Sequence, residues 1–400
     1  MRKFKLKNGL TVLWEPRRSD SVAIEVCVGT GSNNESRNIA GMSHFLEHMV
    51  FEGTKTRSAK EISETIENVG GEINAATSNE RTYYYVKVPR GKFDLGLKIL
   101  ADIMKNPKFD SQSLEKERKV ILEEIKMVND QPLFYQWILF EKSIFKKHPT
   151  RNPVYGRVDS VRSITHKQMV DYYRKWYTPN NMIVSVVGNV NWLSRKMNAI
   201  FGDLEPGKIP VTKKVDEPKE TRQRVRKERR KVKQAYIVVG YKTVPRRHKD
   251  SFVLDVTSAI FSKGLSGRVN EEIRVKRGLA YSVGTTHECK KTYGFFATYF
   301  NCDKKNIELC KSIILDEIRK LDNIDKKELN EAKDHIVGKI LVDNEDSQRR
   351  ANELAFWEFI KDAKLADEYI RNVREVTKDD ILRVRDRFLH KNYTMVVIGS

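Results

Sequence analysis

Ala23-Ile-Glu-Val-Cys-Val-Gly29 is an apolar run of the length of a buried strand. A similar run returns 212 residues later as Ala235-Tyr-Ile-Val-Val-Gly-Tyr241. Met182-Ile-Val-Ser-Val-Val-Gly-Asn189 returns in the same way as Tyr393-Thr-Met-Val-Val-Ile-Gly-Ser400, at an offset of 211. Residues 83–88 and the helical pattern after them correspond to residues 294–299 and 307–318. A near-constant offset across several elements predicts two copies of one α+β domain. The copies fall at residues 1–205 and 223–400. Between them, residues 206–222 carry Pro206, Pro210 and Pro218 among many charges, the composition of a linker.

Outward from the first run, a polar loop at 31–38 leads into Gly41-Met-Ser-His-Phe-Leu-Glu-His-Met-Val50. As a helix, this stretch sets His44 and His48 one turn apart on one face, with Glu47 beside them. Two imidazoles at that spacing can share a tetrahedral metal and leave room for a third ligand and a water, from which an adjacent carboxylate can take a proton. His-x-x-Glu-His is the inverted form of the zinc protease motif. The third ligand is sought in the helix expected at 111–128, whose apolar stripe is Leu114, Ile121, Ile125 and Val128. Glu117 and Glu124 stand seven residues apart on or beside that stripe, while Glu123 points away. Carboxylates directed at a core are costly unless paired or bound to metal. If the two helices pack together, Glu124 is the natural third ligand, and Glu117 is placed to orient an imidazole from behind. The second copy has Asp255, Ser258 and Ala259 where the first has its motif, which predicts one active half and one supporting half.

Four hundred residues, 39% hydrophobic and 32% charged, fit a globular chain of two domains. No apolar run approaches a membrane span, and the start Met1-Arg-Lys-Phe-Lys-Leu-Lys-Asn8 has no apolar signal core. Cys27, Cys289, Cys302 and Cys310 form no CxxC pair, and the expected compartment is the cytoplasm. The net charge of +21 is densest at residues 219–247. Such a stretch can meet nucleic acid or acidic peptides, or it can be a solvated strand edge kept from aggregating by Lys and Arg. Without interleaved aromatics or a nucleic-acid motif, the edge is the favoured reading and nucleic acid is not an expected partner.

Taken together these residues resemble the M16 metallopeptidases, the group of pitrilysin, insulin-degrading enzyme and mitochondrial processing peptidase. The carriers are His44-Phe-Leu-Glu-His48 with Glu124 76 residues beyond His48, and Gly70-Gly-Glu-Ile-Asn-Ala75 followed by Thr77, Glu80 and Tyr83. Trp176-Tyr-Thr-Pro-Asn180 and Arg274-Val-Lys-Arg-Gly-Leu-Ala-Tyr281 add to it. The chain departs from the family at Ser262-Lys-Gly-Leu-Ser-Gly-Arg268, where a triple glycine is common. The resemblance implies a fold of two homologous domains, each a mainly antiparallel sheet with helices packed on one face, arranged as half of a clamshell. It also implies one Zn²⁺ per chain and a homodimer enclosing a chamber. Glu72, Asn74 and Ala75 would lie on an edge strand that binds substrate, and Arg274 and Tyr281 would reach substrate from the second domain.

The expected function is that of a zinc metalloendopeptidase acting on unstructured peptides, with Glu47 as general base. Two other classes compete with it. A non-catalytic scaffold or peptide-binding subunit of a heteromeric peptidase has the same fold, but such subunits usually lack the metal set. A nucleic-acid-binding protein would rest on the basic stretch alone.

Overall fold

The apolar runs become the central strands of two sheets. The computed structural model describes residues 1–211, 215–389 and 392–399, so residues 212–214 of the expected linker and the terminal Ser400 lie outside the described residues. The first sheet contains β1 (Arg2–Lys5), β2 (Thr11–Glu15), β3 (Ser21–Val28), β4 (Glu72–Thr77), β5 (Thr82–Pro89) and β6 (Met182–Val187). Their order is β1-β2-β6-β3-β5-β4. The second contains β7 (Arg224–Glu228), β8 (Ala235–Lys242), β9 (Ala280–Cys289), β10 (Gly294–Cys302) and β11 (Thr394–Ile398), in the order β7-β11-β8-β10-β9. Apart from the outer β1, the orders superpose strand for strand, with β3 matching β8 and β6 matching β11. In each sheet one pair is parallel, β2 with β6 and β7 with β11, and the remaining pairs are antiparallel.

The compact units do not follow the chain contiguously. The first gathers Met1–Met127, Asn152–Lys213 and Asp343–Ala366, and the second gathers Val128–Arg151, Lys214–Val342 and Asp367–Ser400. Each unit therefore takes a helix from the other half of the sequence. This differs from the contiguous segments 1–205 and 223–400, because hydrophobic periodicity shows that a helix has a buried face but not which sheet it joins.

In the second unit, the helix Pro132–Ile144 lies on one face of the sheet, where Leu139, Phe140 and Ile144 join Val238, Phe295, Ala297, Val396 and Ile398 in one apolar cluster. The alternate residues Ile237, Val239, Met395 and Val397 face the main core on the other side. Burial on both faces explains why β8 and β11 read as unbroken apolar runs. In the first unit the helix Ser347–Ile360 covers β3 and β6, burying Ala351, Leu354 and Ala355, and polar pairs run alongside them. Arg350 pairs with Glu15 at 2.8 Å, and Gln348 and Asn352 donate to Glu25, whose carboxyl is pushed up to about 7 by burial against the pull of Arg81. Among the described residues no helix is long and apolar enough to cross a membrane.

Candidate metal centre

The helix Met42–Phe51 begins where Gly41 takes a positive φ of 96°, and a Cβ at that position would stand 2.7 Å from the Tyr155 carbonyl oxygen. Only glycine fits both demands. The first amides of the helix are met by Glu35, which accepts from Gly41 N at 2.6 Å and from Ser43 N at 2.7 Å. A carboxylate at a helix N-terminus satisfies free N–H groups and complements the helix dipole. No local sequence pattern marks Glu35, which caps from six residues away, outside any local capping spacing. Phe45, Leu46, Met49 and Val50 enter the core of the first unit, leaving His44, Glu47 and His48 half-buried on the other side of the helix.

The helix Ser111–Asp130 supplies the opposing wall. Leu114, Ile121 and Ile125 join the same core as Phe45 and Met49. Arg118 lies over the Phe45 ring at 5.4 Å and donates to the Ile164 carbonyl at 2.8 Å, tying this helix down. That packing turns Glu117 and Glu124 toward the two histidines. Glu124 Oε2 stands 3.8 Å from His44 Nε2 and 3.8 Å from His48 Nε2. Behind the site, His48 Nδ1 is 3.0 Å from Oε2 of Glu117, which is only 7% exposed.

These donors fit a tetrahedral zinc ion. Ligands about 2.1 Å from zinc at tetrahedral angles lie about 3.4 Å apart, and the two separations from Glu124 exceed that by a few tenths of an ångström. One donor atom from each of His44, His48 and Glu124 lies within 4.8 Å of the others, and no other such group of three occurs among the described residues. His44 is pushed down to about 3 by burial and by His48, which keeps its imidazole neutral and able to ligate. No Lys or Arg among the described residues pairs with Glu47 or Glu124, leaving the acidic side of the site without a protein cation. The set differs from a fully supported one at His44 Nδ1, which is buried without a hydrogen-bond partner.

Glu47 stands beside the two histidines, with Oε2 2.5 Å from the Thr77 hydroxyl at the end of β4. Burial pushes its carboxyl up, against the pull of Thr77 and of His48. Glu72, Asn74 and Ala75 lie on β4, the outermost strand of its sheet, with Glu72 and Asn74 exposed. Arg274 and Tyr281 belong to the second unit. Arg274 sits in a π-helical turn, Glu271–Val275, with its guanidinium 4.9 Å from the centre of the Tyr281 ring, and Tyr281 is 77% exposed. They line a cavity of about 400 Å³ together with Gln234, Asp303 and Asn306.

In the second unit the helix Asp250–Ser262 packs on β9 as the helix Met42–Phe51 packs on β4. Asp255 is enclosed there by Arg246 at 2.5 Å, His287 Nδ1 at 2.7 Å and the Tyr369 hydroxyl at 2.7 Å. Ser258 donates to the Thr285 carbonyl and Ala259 is buried. The second unit therefore holds no metal-ligand set among its described residues.

The comparisons with known proteins agree with this architecture. Residues 11–156 match the family model of insulinase, peptidase family M16, and residues 163–336 match that of the peptidase M16 inactive domain. A Bacillus subtilis protein described as "uncharacterized zinc protease YmxG" is 30% identical over all of this chain and 98% of its own length. A Rickettsia felis protein described as "uncharacterized zinc protease" is 31% identical over 99% of this chain and 96% of its own length. A crystal structure of a protease from Helicobacter pylori superposes with a TM-score of 0.94 at 25% identity, covering 100% of this chain and 99% of that one. Two copies of one α+β domain, the first with an inverted His-x-x-Glu-His helix facing a distal glutamate, define a two-domain metallopeptidase fold. The chain belongs to the M16 peptidase family.

Proposed function

We propose that this chain is a zinc metalloendopeptidase of unstructured peptides and short polypeptides, working as a homodimer in the cytoplasm. The observation that carries the reading is the convergence of His44, His48 and Glu124 with Glu47 at their side. A zinc ion held by those three donors would acidify water and polarise a carbonyl oxygen. Glu47 takes the proton of the attacking water and passes it to the leaving amine. Glu117 fixes the ring of His48. β4 accepts the substrate backbone at Glu72, Asn74 and Ala75 as one more strand, which gives loose sequence preference. Arg274 and Tyr281 donate hydrogen bonds to substrate as charge develops on its carbonyl oxygen. The names of the relatives, zinc proteases, support the same chemistry. A complete donor set counts against a non-catalytic scaffold.

The test is metal analysis of the purified protein, followed by digestion of an unstructured peptide with and without a chelator. Zinc near one equivalent per chain and chelator-sensitive cleavage are expected. Glu47→Gln should keep its zinc and lose turnover; near-normal cleavage by that variant would remove Glu47 from the chemistry.

A further inference from the structure

Among the described residues Thr77 hydrogen-bonds to none of the three candidate metal ligands, yet its hydroxyl makes a short polar contact to the proposed base. Its hydroxyl stands 2.5 Å from Glu47 Oε2 and 3.5 Å from the Ser43 carbonyl oxygen. A hydroxyl has one proton to give, and the carboxylate is the nearer and stronger acceptor. A short hydrogen bond to Oε2 restrains the rotation of the carboxylate about its last bond.

The place from which Thr77 acts is rigid. It is the last residue of β4, and the turn beyond it closes with Ser78 N donating to the Arg81 carbonyl at 2.8 Å. A neighbouring loop clamps that turn, with Ser32 N on the Ser78 carbonyl and Asn33 N on the Asn79 carbonyl at 2.7 Å. Gly31 lets the loop approach so closely, because a Cβ there would fall 2.2 Å from the Ser78 carbonyl oxygen. The hydroxyl is thus aimed by the backbone of the sheet edge and not by its own rotamer alone.

We infer that Thr77 is a positioning residue for the reaction: it holds Oε2 of Glu47 and leaves Oε1 as the atom that receives the proton from water. Through it, the strand proposed to carry substrate is fastened to the group that activates the nucleophile. This rests on the reading of Glu47 as general base.

The test compares Thr77→Val, which keeps the shape and removes the hydroxyl, with Thr77→Ser, which keeps the hydroxyl and removes the methyl. Thr77→Val should lower kcat about 10- to 100-fold, the span expected for a lost hydrogen bond to a charged group. KM and zinc content should stay within about two-fold, and Thr77→Ser should recover most of the turnover. A Thr77→Val enzyme with wild-type kcat would overturn the inference. So would an equal loss in Thr77→Ser, which would trace the effect to packing, or a loss that follows zinc content. Glu47→Gln measured alongside separates the two levels. Normal turnover in that variant removes the base and the role of Thr77 together, whereas an inactive Glu47→Gln beside an unaffected Thr77→Val overturns Thr77 alone.

Discussion

Replacing Glu117 tests the support of the centre without touching any of its three donors. Its Oε2 lies 3.0 Å from His48 Nδ1, and the side chain is buried enough for solvent to screen the contact little. The other oxygen stands 3.5 Å from Lys116 Nζ, which also reaches Glu52 at 2.9 Å but is itself 64% exposed. A hydrogen bond to a charged acceptor contributes about 1.5–3 kcal/mol and a neutral one about 0.5–1.5. Glu117→Gln keeps the acceptor and loses the charge, so zinc affinity should fall by about 1–1.5 kcal/mol, roughly 5- to 10-fold. Glu117→Ala leaves the imidazole N–H without a partner in a buried place, and a loss of roughly 10- to 100-fold is expected. Lys116→Ala, whose contacts are largely solvated, should change the affinity less than about three-fold. Titration of the apo-protein against a competing chromogenic chelator measures all three. Wild-type affinity in both Glu117 variants would refute the account, since it would mean that His48 needs no orienting acceptor.

Two further outcomes follow from the scaffold. Gly41→Ala places a Cβ 2.7 Å from the Tyr155 carbonyl oxygen at a φ of 96°, so it should shift the start of the metal helix. It should lower both the melting temperature and zinc retention, and a variant equal to wild type in both would show that the loop yields freely. Burial raises the Glu217 carboxyl, but the backbone N–H groups of Lys146, Lys147 and His148 and the Lys242 ammonium more than offset this and bring it down to about 2. A carboxyl lowered on folding stabilises the fold fully above its unfolded value near 4.5 and loses that contribution as pH falls toward 2. Melting curves between pH 6 and pH 3 should therefore fall more steeply for wild type than for Glu217→Gln; parallel curves would contradict this.

The two sheets and the metal helix were legible in the sequence because each rests on a local pattern. Apolar runs marked β3, β6, β8 and β11, and the His-x-x-Glu-His spacing marked the helix Met42–Phe51. Glu117 and Glu124 could be singled out because acidic residues interrupted an apolar stripe, and both turn toward the histidines. The exchange of the helices Pro132–Ile144 and Ser347–Ile360 was not legible, since their partners lie on strands far away in the chain. Glu35 escaped for the same reason, as did the hold of Thr77 on Glu47: each depends on a loop or strand returning from a distance.

The two copies face one electrostatic problem and answer it differently. Each places a helix against the edge hairpin of its sheet with acidic groups at the contact, and a buried carboxylate without a partner costs several kcal/mol. In the second unit Arg246 answers Asp255 directly, holding its carboxyl well below the usual range in spite of burial, while burial lowers His287 beside it. That half is closed by its own guanidinium and has no charge left to give an ion. In the first unit no arginine or lysine among the described residues meets Glu47 or Glu124, and burial keeps the His44 imidazole neutral. A divalent cation between the three donors would supply the opposing charge, in the half where no basic residue among those described stands at that position. Restoring histidines to the second copy would therefore not by itself restore a metal site, because the guanidinium of Arg246 already occupies the electrostatic place of the ion.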